Sequence, residues 1–294
     1  MQTASAELYV SPQAFTFNAV YATIIINKYY YSGVNTVKHA EIQNRYKNHI
    51  FLSYRETGGS RSLTGDVIVI VFFVNDSCSQ WTEAAKNNYI AKHVSAMRIL
   101  VNSAYKANVQ LEIRNAYADL QVDMDCTLDN YSEWSKRIIS QYRNENILEF
   151  QKYYKEKYGC KECPVIFAFN KPFRDYSVST NTKTQKYDEL SVVSSDSGER
   201  TIIHELLHQF GARDLYFPQE LREMIVKMGY LSIMSADSSF CFDSLTSYLI
   251  GWSDEIDNSG VRILETMKHY TYKTLTEAVR KEWGRVGQVY PNQP

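Results

Sequence analysis

The sequence is poor in the features that most directly point to a compartment or a bulk partner. Cysteine is scarce and odd in number, and five in 294 residues exclude a fully paired disulfide framework. Neither sign of charge dominates. With 32 Lys+Arg against 33 Asp+Glu, the formal net charge of -1 gives no bulk attraction to nucleic acid or to an anionic membrane. The longest apolar runs, near 18–26 and 67–74, are too short to span a bilayer. The opening MQTASAELYV has neither a basic stretch nor an apolar core, so no secretory signal is legible. On its face the sequence reads as cytoplasmic, and as secreted if a signal has been removed. The lone CxxC, Cys160-Lys-Glu-Cys163, lacks a second pair for a zinc ribbon. Pro164 and the VIFAF run follow it, so it reads as two ordinary thiols at a strand entrance. Histidine is also scarce, at six residues, which makes their placement informative.

No internal repeat interrupts the chain, and three segments are distinguished. Residues 1–62 are rich in Tyr, Asn and Ser and read as an N-terminal extension or small subdomain. Residues 63–256 carry the regular pattern, and 257–294 form a C-terminal segment packing on it. The stretch 66–75 (DVIVIVFFVN) has the β-branched, aromatic profile of a buried central strand. Residues 81–107 follow as an amphipathic helix with Trp81, Ala85, Tyr89, Val94, Met97, Val101 and Ala104 on its apolar side. A second strand is expected at 109–117, one long helix at 131–158, and a third strand at 165–170. Short strands at 176–180 and 190–194 flank a polar loop. The alternation predicts an α/β fold with a twisted, mixed, mostly parallel sheet and long helices.

Chemistry concentrates in residues 197–211 (SGERTIIHELLHQFG). His204 and His208 are four apart, so one helix face presents both imidazoles about 6 Å apart along the axis. At that spacing a nitrogen of each can reach one Zn²⁺ ion at about 2.0–2.1 Å. Glu205 follows the first ligand, placed to activate water rather than to bind metal. Gly211 can turn the chain in a left-handed conformation and bring Asp214 back as a third, carboxylate ligand. Asp214 as a loop-capping carboxylate remains open at this stage, as does Glu220 or Glu223 as the third ligand.

The spacing His204-Glu205-x-x-His208-x-x-Gly211-x-x-Asp214 resembles that of the metzincin clan of zinc endopeptidases, whose pattern is HExxHxxGxxH with Asp last in some members. The segment Leu231-Ser232-Ile233-Met234-Ser235 looks like the clan's Met-turn, with Met228 as a competing methionine. The resemblance spans roughly residues 66–256. It implies a metzincin-like catalytic domain with an active-site helix and a smaller C-terminal subdomain, to which 246–252 contributes a helix. In relatives with a Met-x-Tyr turn a tyrosine stands where this chain has Ala236, leaving Tyr216 and Tyr230 as open candidates for a phenol at the site.

The expected function is a zinc metallopeptidase acting on a peptide or protein, with Glu205 as catalytic base. His204, His208 and Asp214 are the expected metal ligands, and Gly211 and Met234 the structural support. The substrate would lie along an edge strand at 176–180. No nucleic-acid partner, membrane span or organic cofactor is expected, and the oligomeric state is not legible. Two alternatives use the same residues: a non-catalytic, zinc-stabilised interaction module, and a zinc amidase acting on a non-protein amide. The remaining histidines, His39, His49, His93 and His269, have no partner at ligand spacing.

Overall fold

The computed structural model describes residues 9–10, 35–57, 59–127, 129–142, 144–172, 175–178, 189–236, 238–271, 273–275 and 277–278. In chain order the elements are β1 (Tyr9–Val10), β2 (Thr36–Lys38), α1 (His39–Tyr46), a 3-10 turn (Phe51–Tyr54), β3 (Gly65–Asn75), α2 (Glu83–Lys106), β4 (Leu111–Gln121), α3 (Tyr131–Ser140) and α4 (Ile147–Tyr158). They continue as β5 (Val165–Phe169), β6 (Tyr176–Val178), β7 (Leu190–Ser194), α5 (Glu199–Gln209), α6 (Gln219–Met228), α7 (Ser244–Leu249), β8 (Glu255–Asp257) and α8 (Asn258–Met267).

An unbroken apolar run such as Val67–Val74 needs cover on both faces, and β3 has it. Val67, Val69, Val71 and Phe73 point into one core, and Ile68, Ile70, Phe72 and Val74 into a second. The six-stranded sheet has the order β1-β4-β3-β5-β7-β6, with β4, β3, β5 and β7 parallel. The two edge strands, β1 and β6, run antiparallel to their neighbours. From β3 the chain steps to β4 and then crosses back to β5 on the other side. Right-handed crossovers require the connecting helices to change face at such a reversal. They do: α2 buries Ala96, Met97 and Leu100 in the first core, whereas α3 and α4 bury Trp134, Ile138 and Phe150 in the second.

The single helix expected over 131–158 is two. Tyr142 N bonds back to Ile139 O, and the Asn144 side chain donates to Tyr142 O at 2.8 Å. The Asn146 side chain then accepts from Glu149 N at 3.0 Å and caps a new start. Asparagine satisfies backbone groups locally and so ends one helix and opens the next. The buried stripe of α2 is also rotated relative to expectation, with His93 and Leu100 inside and Val94 and Val101 only partly buried. Strand β4 runs four residues beyond its expected end, in register with the full length of β3.

Strand β2 pairs antiparallel with β8, joining the N-terminal segment to the boundary between the middle and C-terminal segments distinguished in the sequence. Ile42, Phe51 and Leu63 share the first core with Leu245, Ile263 and Met267. Among the described residues no helix is long and apolar enough to cross a membrane.

Candidate metal centre

Helix α5 is buried along the whole stretch from Ile202 to Gln209, wedged against α2 and β7. Its apolar residues Ile202, Ile203, Leu206 and Leu207 anchor it in the first core. Glu199 in its first turn suits the helix dipole. The helix stops in a Schellman-type turn: Gly211 N bonds to His208 O and Ala212 N to Leu207 O. Gly211 sits at φ +93, and a Cβ there would lie 2.6 Å from the carbonyl oxygen of Tyr54. Both the dihedral and the packed 3-10 turn therefore demand glycine.

That turn also orients a histidine. His208 Nδ1 lies 2.9 Å from Ala212 O, and His204 Nδ1 lies 2.9 Å from Ile233 O. A carbonyl only accepts, so each Nδ1 carries the hydrogen and each Nε2 is turned inward. The two Nε2 atoms meet Asp214 Oδ1 at 3.0 and 3.2 Å. The ring centroids are 4.9 Å apart and nearly perpendicular. Ligands of a tetrahedral zinc at about 2.0–2.1 Å are ~3.3 Å from one another, so this donor set fits such an ion. Among the described residues it is the one His/Cys/Asp/Glu group that could hold a metal.

The electrostatics match the geometry. Burial resists charge on His204, but Asp214 and the neighbouring Glu205 outweigh it and push the imidazole up to about 9. Burial likewise opposes ionisation of Asp214, yet the two histidines hold its carboxyl well below the usual range. Burial raises Glu205, with the two imidazoles pulling the other way. Glu205 Oε2 accepts from the Ser177 hydroxyl of β6 at 2.9 Å.

Met234 is fully buried in the first core. Its turn backs the site through the backbone: Met234 O accepts from Leu215 N at 2.9 Å, beside Asp214, and Ile233 O holds His204. Arg200, one turn before His204, braces the same turn by donating to Ile233 O at 2.8 Å and Ser235 O at 2.5 Å. The competing Met228 ends α6, outside this turn. Of the tyrosines considered, Tyr216 stacks on His204 with centroids 6.1 Å apart, whereas Tyr230 donates to Asp243 at 2.7 Å. Glu220 and Glu223 are exposed on α6; Glu220 faces His269, and Glu223 accepts from Gln219. Neither joins the histidine pair.

Strand β6 occupies part of the expected 176–180 edge; residues 179 and 180 lie outside the described residues. It lies against α5 as the outermost strand. The crevice where the strand order reverses, a common ligand site in parallel sheets, is filled instead. Lys171 after β5 donates to Asp76 after β3 at 2.5 Å, to Asp125 at 2.8 Å and to Cys126 O at 2.9 Å. Cys160 and Cys163 are free thiols, both buried, leading into β5.

Sequence reasoning missed Ser177, Ser191, Gln209 and Arg200. Gln209 had a weak signal, since a polar residue on a helix buried all round requires a partner, whereas Arg200 lies before the buried stretch and had none. The two serines had none, because only strand pairing brings them to the helix. Comparison of the chain with protein-family models, with curated proteins and with solved structures returned no match.

Proposed function

We propose that the protein is a zinc-dependent endopeptidase with a metzincin-like catalytic domain. The observation that carries this reading is the convergence of His204 Nε2, His208 Nε2 and Asp214 Oδ1, with both Nδ1 atoms already committed to backbone carbonyls. Further support comes from the Gly211 turn, the buried Met234 turn behind the ligands, and the antiparallel edge strand beside α5.

His204, His208 and Asp214 would hold the zinc, and when bound it supplies Lewis-acid polarisation of the scissile carbonyl and acidifies water. The carbonyls of Ile233 and Ala212 keep both imidazoles in the tautomer whose Nε2 faces inward. Glu205 is the general base. It takes a proton from the attacking water onto its carboxylate and returns it to the leaving amine. Oε2 is held by Ser177, which leaves Oε1 for this traffic. Strand β6, at the edge of the sheet among the described residues, would offer backbone groups to an extended peptide lying antiparallel or parallel to it by strand addition.

Purified protein is expected to retain about one zinc per chain and to cleave a proteome-derived peptide library, with Glu205→Gln slowing cleavage by about 10²–10⁴-fold while zinc stays bound. A folded parent that takes up no zinc, or a Glu205→Gln variant as active as the parent, would sink the reading. Cleavage of non-peptide amides but not of peptides would point instead to an amidase.

A further inference from the structure

The polar groups behind Glu205 form a connected chain of hydrogen bonds. Gln209 Oε1 accepts from Val165 N at 3.0 Å, and Nε2 donates to Val165 O at 2.9 Å and to Ser191 Oγ at 2.7 Å. Both amide hydrogens are spent, so Ser191 Oγ is an acceptor there. The hydrogen of Ser191 reaches Glu205 O at 2.8 Å. Ser177 is the direct cross-strand partner of Ser191, with the two hydroxyls 2.9 Å apart. Ser177 Oγ lies 2.6 Å from Glu205 O and 2.9 Å from Glu205 Oε2. Its one hydrogen has Glu205 O, Glu205 Oε2 and Ser191 Oγ within reach. The carboxylate is the strongest of these acceptors, so Oε2 shares that hydrogen with the adjacent Glu205 carbonyl. Among the described residues no other side chain or backbone group donates to the Glu205 carboxylate.

We propose that Ser177 is a positioning residue for Glu205, with Ser191 and Gln209 completing the hydrogen-bonded chain that holds its hydroxyl in place. The proposal rests on Glu205 acting as the base of the zinc-hydrolase reading. A buried carboxylate on a side chain with three rotatable bonds needs one oxygen tied down if the other is to meet a water reproducibly. The tie comes from the edge strand itself, so the strand that would bind the peptide also aims the base.

The test uses the full chain loaded with zinc and one peptide substrate taken from the library screen. Ser177→Ala is expected to lower kcat by about 10- to 100-fold, with KM within about twofold and zinc content unchanged. Ser177→Thr keeps the hydroxyl on a residue suited to a strand and should recover most of that loss. In a Glu205→Gln background Ser177→Ala should cost nothing further in rate. Urea unfolding of the two single variants and the double variant should be non-additive, a readout independent of activity. Parental kcat in Ser177→Ala, an equal loss in Ala and Thr, or additive effects with Glu205→Gln would each overturn the positioning role. If the parent cleaves and Glu205→Gln is slowed as expected, such a result refutes Ser177 alone. If the folded parent holds no zinc and cleaves nothing, the zinc-hydrolase reading fails and this proposal with it.

Discussion

Both faces of the central sheet are covered, but they are built differently. The face under α3 and α4 is aromatic and aliphatic: Trp134 stands edge-on to Phe167 and Phe169 at 5.2 and 5.4 Å, and Phe72 packs between Phe150 and Phe167. The face under α2 and α5 buries His204, Glu205, His208 and Gln209 in one helix, each tied to a named partner. Apolar packing is non-directional and tolerates rearrangement, whereas buried polar groups need partners at defined distances and angles. The second kind of core is the one able to hold reacting groups in place.

That contrast can be broken or sharpened by experiment. The largest expected effect is on rate: Glu205→Gln should reduce peptide cleavage by about 10²–10⁴-fold while leaving the urea midpoint nearly unchanged. Trp134→Ala on the opposite face should do the reverse. It should cost about 3–5 kcal/mol of stability, with zinc stoichiometry retained where the variant is folded. Loss of zinc affinity in folded Trp134→Ala would show that the two faces are not separable.

Gly211→Ala is expected to be costly twice over. The left-handed dihedral alone costs about 1–2 kcal/mol, the Tyr54 carbonyl leaves a methyl no room, and displacement of the turn should weaken zinc binding through Asp214. Gly229 provides the control, with φ +59 and open space around its Cβ position. Gly229→Ala should cost only the dihedral term and leave zinc affinity alone. Equal effects of the two substitutions, measured by denaturant unfolding and zinc competition, would refute the steric account.

Two smaller effects depend on pH. Below about 9, burial is outweighed by Asp214 and Glu205, and His204 holds a proton that a metal must expel. Zinc affinity should therefore rise about tenfold per pH unit between neutrality and about 9 and then level off. His93, buried on the same face without a carboxylate, is pushed by that burial down to about 3 and carries no such proton. A flat affinity profile would contradict the pairing.

Glu189, buried just before β7, is raised by burial to about 7 from an ordinary 4.5, while accepting from Gly59 N, Ser60 N and the Gln151 side chain. Between those values the folded state keeps a proton that the unfolded chain has released. Its contribution is present at the acid end and is lost as pH rises through about 7. The urea midpoint of the parent relative to Glu189→Gln should fall across that window; a rising difference would refute the assignment.

Much of this was legible in the order of residues. The apolar run of β3, the start and stop of α5, the i, i+4 histidines and the glycine turn that returns Asp214 are all local patterns, set by helix period, strand period and backbone dihedral. The break between α3 and α4 was legible in principle, in Asn144 and Asn146, but the apolar spacing across it read as continuous helix. The tertiary structure decided the rest. It put Tyr54 against Gly211, carbonyls of two different turns behind the two imidazoles, and Ser177 and Ser191 of paired strands beneath Glu205. These partners are far apart in sequence or are backbone groups that every residue carries, so no side-chain pattern marks them. The sequence determined which atoms are available to hold a metal. Only packing decided which of their lone pairs and hydrogens face it, because orientation depends on hydrogen-bond partners brought together by the fold.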